Sequence, residues 1–286
     1  MSIQRLPKPS ATSARINTLA EAYKAENYLE IGVKGGGTFF NVSMPHKVAV
    51  DPRFSFDPKD YEGPGNHFFP VTSDDFFATL AARTGDEPPL TSADSDGKPA
   101  FDIIFIDGLH TFEQSFRDFE NSLVYSHENT IWLLDDTVPC DPYSAIPDMK
   151  ISQARRKQAG LHGTPWHGDV FKTILAIHDL HPEFSYCTVM DKGNPQTVLW
   201  RAAHENRKAF FSSLEDIRDF SYFDLLDHAA LLLPVNEDML RYMIGLALDP
   251  LSYDEPNQWK SLVYRKIKTQ EQVNLAEQLK KHSLKV

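Results

Sequence analysis

Along the first two hundred positions the apolar residues bunch into short runs bounded by Gly, Pro, Asp and Asn: NYLEIGV (27–33), HKVAVD (46–51), NHFFPVT (66–72), FDIIFID (101–107) and TIWLLDD (130–136). Runs this continuous suit strands covered on both faces, and their alternation with helical spacing predicts a parallel sheet wrapped by helices. EFSYCTVMDKGNPQTVLWRA (183–202) then reads as two strands around a turn, an antiparallel hairpin closing the sheet. The expectation is a doubly wound α/β domain with a seven-stranded, mostly parallel, Rossmann-like sheet over 1–203. After Arg201 the spacing turns helical, in FDLLDHAALLL, EDMLRYMIGLAL and the basic KTQEQVNLAEQLKKHSLKV, predicting a helical extension over 204–286. Two stretches read as loops, 84–100 and 139–169, the second long enough to be a lid or insert.

Composition narrows the function. With 40 acidic residues against 29 Lys plus Arg, the formal net charge is -11. A sequence-independent grip on nucleic acid or an anionic membrane is therefore not expected, and a small-molecule or carbohydrate acceptor fits better. Only Cys140 and Cys187 are present, which argues against a disulfide framework or a cysteine-built zinc site. MSIQRLPKPS lacks an apolar signal core and no run approaches the ~18 apolar residues of a spanning helix, so a cytoplasmic location is expected. Homo-oligomerisation is compatible with the sequence, which does not specify it.

The first strand leads into LEIGVKGGGTF, with Glu30, Gly32, Gly36 and Thr38 in an E-x-G-x-x-x-G-x-T arrangement. Glycines there let backbone approach a ligand at the start of a following helix, where N–H groups point outward. The nicotinamide fingerprint G-x-G-x-x-G is absent. Asp51 ends the second strand, where an acid accepts hydrogen bonds from ribose hydroxyls. These features resemble the class I S-adenosylmethionine-dependent methyltransferases. The resemblance implies S-adenosylmethionine as cofactor, Glu30 near its methionine end, Asp51 on the ribose, and Ser73 and Asp74 beside the adenine. The plainer alternative makes Gly35 to Gly37 a turn and Ser73 and Asp74 helix caps.

FDIIFIDGLHTFEQSFRDF changes period at Asp107-Gly108. Thr111 with Gln114 reads as a capping box, and Phe112, Phe116, Phe119 and Leu123 follow as an apolar stripe. Asp107 and His110 thus fall on the turn at the carboxyl edge of the sheet, and Asp135-Asp136 on the next strand exit. Three carboxylates in a cleft repel unless a cation holds them, and oxygen-only ligands favour Mg²⁺, Mn²⁺ or Ca²⁺, magnesium first. A cation lowers a hydroxyl's pKa, and His110 is placed to take the proton. Here the resemblance narrows to metal-dependent O-methyltransferases, with a D-x-x-H turn most like that of the macrolide-sugar group. It implies Asp107, Asp135 and Asp136 as metal ligands and His110 as catalytic base. Asp135 departs from the Glu frequent there. As turn residues these acids need no ion.

GTPWHGDVFKTILAI resembles a W-x-G-D-V-W-K-like segment of related methyltransferases, making Trp166 and Asp169 candidate substrate contacts, with Lys172 the third marked position. More plainly, Gly168-Asp169 starts a helix. His162 and His167 lie in a polar loop and are expected to be unliganded. The expected activity is metal-assisted O-methylation of a small molecule, sugar or glycan. The rivals are an NAD(P)-dependent oxidoreductase on a similar sheet and a catalytically inactive binding module.

Overall fold

The structure, a computed structural model, describes residues 7–92, 97–202 and 207–248. The segment KTQEQVNLAEQLKKHSLKV lies outside the described residues. The described residues divide into two compact units, those within 7–109 and 114–134, and those within 110–113 and 135–248.

The first unit carries β1 (Asn27–Ile31), β2 (His46–Val50), β3 (Asn66–Phe69), β4 (Phe101–Ile106) and β5 (Ser126–Leu134). They lie in the order β3-β2-β1-β4-β5, and every adjacent pair is parallel. All five residues of β1 are buried, as are the last five of β5, which explains why their sequences are mostly apolar. From β1 the chain winds outward through β2 and β3 to one side and through β4 and β5 to the other. Such a reversal opens a crevice at the carboxyl ends of β1 and β4, where α/β sheets take their ligands. Helix α1 (Ala11–Tyr23) starts with a capping box between Ser10 and Ser13. Helix α2 (Ser73–Ala82) is N-capped by Thr72, whose hydroxyl accepts from the Asp75 N–H. Ser73 and Asp74 therefore sit in its first turn, one step past the cap.

Helix α3 (Phe112–Ser122) begins where the sequence predicts, but without the capping box. The Gln114 amide donates to Ser73, Asp74 and Asp118. Of its stripe, Phe112 and Phe119 are buried, and so are the polar Ser115 and Asp118.

In the second unit β6 (Phe184–Val189) and β7 (Gln196–Arg201) form the expected antiparallel hairpin, with Phe184 opposite Arg201 and Val189 opposite Gln196. A two-residue strand, β8 (Pro234–Val235), lies parallel to β6 within the stretch expected to be wholly helical. Its ladder uses the Leu233 and Val235 carbonyls as acceptors for Thr188 and Met190, so the missing Pro234 N–H is no obstacle. Eight strands are therefore found among the described residues, one more than predicted. The insert at 139–169 is not structureless. It holds α4 (Met149–Gln158), N-capped by Asp148 and closing on Arg155, Arg156 and Lys157. The helices α5 (Phe171–Leu180), α6 (Leu214–Asp219), α7 (Tyr222–Asp227) and α8 (Glu237–Leu248) complete the unit. Among the described residues, no helix is long and apolar enough to cross a membrane.

Candidate functional site

In the first unit the loop after β1 is built on bare backbone. Gly32 sits at φ +92°, and a Cβ there would lie 1.9 Å from the Asp107 carbonyl oxygen, so the β1 and β4 exits meet without side chains between them. Gly36, at φ +72°, would drive a Cβ to 2.3 Å from the Phe40 ring. Gly35 and Gly37 differ: neither has a positive φ, and a Cβ on either would meet nothing within 4 Å. Among the described residues nothing requires those two positions to be bare, and their open side suits a ligand lying close over the backbone. No α-helix follows. The loop passes at Thr38 into a single 3₁₀ turn, Phe39–Asn41, so the expected helix N-terminus is absent. The interruption has a packing cause: Phe39 is fully buried, and its carbonyl, with that of Val42, accepts from the Lys47 ammonium.

Asp51, 8 % exposed at the end of β2, folds back on this loop. Its carboxylate accepts from the Lys34 N–H at 2.7 Å and the Arg53 N–H at 2.7 Å. These bonds leave acceptor capacity for a diol, since a carboxylate has about four lone-pair sites. Glu30 is 2 % exposed and accepts from the Tyr28 hydroxyl at 2.7 Å. Burial pushes its carboxyl up to about 8, aided by Asp107 and Asp51 and opposed by the Tyr28 hydrogen bond and by Lys47. Ser73 and Asp74 are occupied by Gln114, and Asp74 also pairs with Arg117 at 2.8 Å. Asp107 directly follows β4, its N–H donating to the Ile31 carbonyl.

In the second unit, His110, Asp135 and Asp136 gather with three residues the sequence did not mark as a group: Trp166, His167 and Asn194. The His110 Nδ1 lies 2.8 Å from Asp136 Oδ2 and 2.7 Å from the Trp166 carbonyl. Both partners are acceptors, so Nδ1 carries a proton and donates it. The ring also stacks on Trp166, with centroids 4.7 Å apart and planes at 20°. Gly168, at φ +57°, allows this wrapping, since a Cβ there would fall 1.6 Å from the His110 carbonyl oxygen. Asp169 accepts from the Phe112 N–H at 2.8 Å, in the first turn of α3, and pairs with Lys172 at 3.2 Å. Trp166 and Asp169, marked as substrate contacts, also contact His110 and the turn after it. The Trp166 indole donates to the Ile146 carbonyl.

Asp136 has φ +58°, a left-handed backbone unusual outside glycine. Burial pushes its carboxyl up, but His110, His167 and the Asn194 amide outweigh that and hold it below the usual carboxylate range. His167 is buried, not a solvated loop residue, with Nε2 3.8 Å from Asp136 Oδ1. Burial lowers its pKa, against the pull of Asp136. His162 stays exposed. No periodic signal marks His167 or Asn194, because loop residues far apart in sequence bring them here.

Residues 29–137 match a family model described as a methyltransferase domain. No curated protein matches the chain. Among solved structures, the chain is similar to an O-methyltransferase from Bacillus cereus in complex with SAH, at 16% identity over 69% of this chain and 84% of that one, TM-score 0.45. It is also similar to the O-methyltransferase TomG from Streptomyces achromogenes, involved in tomaymycin synthesis and solved with SAM, at 17% identity over 69% and 82%, TM-score 0.45. A third, a caffeoyl-CoA O-methyltransferase by its description, from Staphylococcus aureus, shows 13% identity over 71% and 86%, TM-score 0.43. The stretch that matches the methyltransferase-domain model, 29–137, holds the parallel strands, the glycine loop and the strand-exit acids.

Proposed function

We propose that the protein transfers a methyl group from S-adenosylmethionine to a hydroxyl of a small molecule, sugar or glycan. The observation that carries this reading is the doubly held Nδ1 of His110. With Nδ1–H held in this way, Nε2 is the proposed acceptor of the hydroxyl proton, and Asp136 would stabilise the imidazolium that results. The Trp166 stack keeps the ring in one orientation, so its lone pair is aimed before the acceptor arrives.

Glu30, Gly32, Gly36, Thr38 and Asp51 are the proposed cofactor contacts, with Ser73 and Asp74 toward the adenine. The open backbone at Gly35 and Gly37 fits such a nucleoside. Bound S-adenosylmethionine supplies an electrophilic methyl on sulfur, and the acceptor oxygen bonds to that carbon as its bond to sulfur breaks. Asp107, Asp135 and Asp136 are proposed to hold a divalent cation, magnesium first. Their carboxylate donor chemistry fits a hard ion, which would lower the acceptor hydroxyl's pKa. Asp169 and Trp166 are proposed to contact the acceptor and to position His110.

Incubation with S-adenosylmethionine, Mg²⁺ and a panel of hydroxylated acceptors, read by mass spectrometry, should show a product heavier by one methylene. His110→Gln should lower kcat ~100-fold or more while S-adenosylhomocysteine affinity stays within about twofold. Full turnover by that variant would remove the base from the mechanism, and no methylated product from the wild type on any acceptor would count against the activity.

A further inference from the structure

Adjacent residues of an extended chain point to opposite faces, so two neighbouring acids at a strand exit do not ordinarily aim at one place. Here they do. Asp136 turns its backbone to φ +58°, and Asp135 Oδ1 and Asp136 Oδ1 both receive the same amide nitrogen, Asn194 Nδ2, at 2.7 and 2.6 Å. Asn194 stands on the turn between β6 and β7, between Gly193, at φ +72°, and Pro195. Both N–H groups of the Asn194 amide are thus given to the two acids, though the sequence marks the residue only as part of a turn.

We infer that Asn194 is a positioning residue that converges Asp135 and Asp136 into one divalent-cation site, its N–H pair offsetting their mutual repulsion until the ion arrives. The inference rests on the cation reading above and adds to it the residue that shapes the site. A neutral amide is the suited group. Alanine would release both carboxylates, whereas aspartate would place a third negative charge against them.

The test uses the full chain and two variants, Asn194→Ala and Asn194→Asp, with Mg²⁺ affinity by calorimetry and thermal unfolding in EDTA and in excess Mg²⁺. S-adenosylhomocysteine affinity serves as the folding control. Asn194→Ala is expected to bind Mg²⁺ ~10–100-fold more weakly than wild type with unchanged S-adenosylhomocysteine affinity. Asn194→Asp is expected to melt lowest in EDTA and to gain more from Mg²⁺ than wild type gains. Wild-type Mg²⁺ affinity in Asn194→Ala, or equal melting losses for Asn194→Asp with and without Mg²⁺, would overturn the inference and leave the cation reading standing. No Mg²⁺ binding by the wild type would overturn both.

Discussion

Glu30 offers the sharpest check on the cofactor reading, because burial pushes its carboxyl up to about 8 in the ligand-free protein. At pH 7 a group with that pKa is about ten parts protonated to one ionised, so it holds about 0.9 proton. The cofactor's ammonium, placed beside it, favours the ionised form and should lower the pKa by ~1–3 units. Binding at pH 7 should then release about 0.4 to 0.9 proton. Calorimetric titration with S-adenosylhomocysteine in phosphate and in Tris, whose ionisation enthalpies differ, measures that number from the buffer dependence of the heat. At pH 9 the release should shrink to about 0.1 or less, since Glu30 is by then already ionised. Glu30→Gln should abolish the release and weaken binding ~10-fold or more, the loss of one charge-assisted hydrogen bond. The sign for stability follows from the same shift. A carboxyl raised from 4.5 to about 8 keeps its proton in the folded state while the unfolded chain loses it. Ligand-free stability should therefore fall as pH rises through that window, and Glu30→Gln should flatten the slope. Binding with no proton release between pH 6.5 and 7.5, or the same release from Glu30→Gln, would refute the placement of the ammonium beside Glu30.

Two further outcomes test the packing around the site. Gly168→Ala places a Cβ 1.6 Å from the His110 carbonyl oxygen, so the backbone must part by more than 1 Å; kcat should fall ~100-fold with S-adenosylhomocysteine affinity unchanged, and an unaffected kcat would deny that this contact sets the ring. Asp118, fully buried with its carboxyl raised to about 6, loses stability as pH rises from about 4 to 6. Urea unfolding should find Asp118→Asn near wild type at pH 4 and more stable by about 2 kcal/mol at pH 8, and a pH-independent gap would contradict the shift.

The seven long strand runs were legible in the sequence because a strand covered by protein is mostly apolar, which leaves a nearly continuous signal broken at few positions such as Glu30. The glycine loop and the acids at strand exits were legible for a related reason: a positive φ demands glycine at Gly32 and Gly36, and an acid that ends an apolar run stands out from it. What the sequence left open depends on residues meeting across long separations. Asp169, 57 residues away, accepts from the Phe112 N–H at the start of α3, where the sequence offered only a local cap, and Phe39 burial replaced a predicted helix with one 3₁₀ turn. β8 escaped notice because two residues carry no periodicity, and α4 because its face is mostly polar. The clamp on His110 by Trp166, Gly168 and Asp136, and the Asn194 amide shared by two acids, have no local pattern at all. Local chemistry determined where the ligand-facing residues lie along the chain; tertiary packing alone decided that His110 Nδ1 carries a proton and which side chains hold it, since both are set by distances between loops.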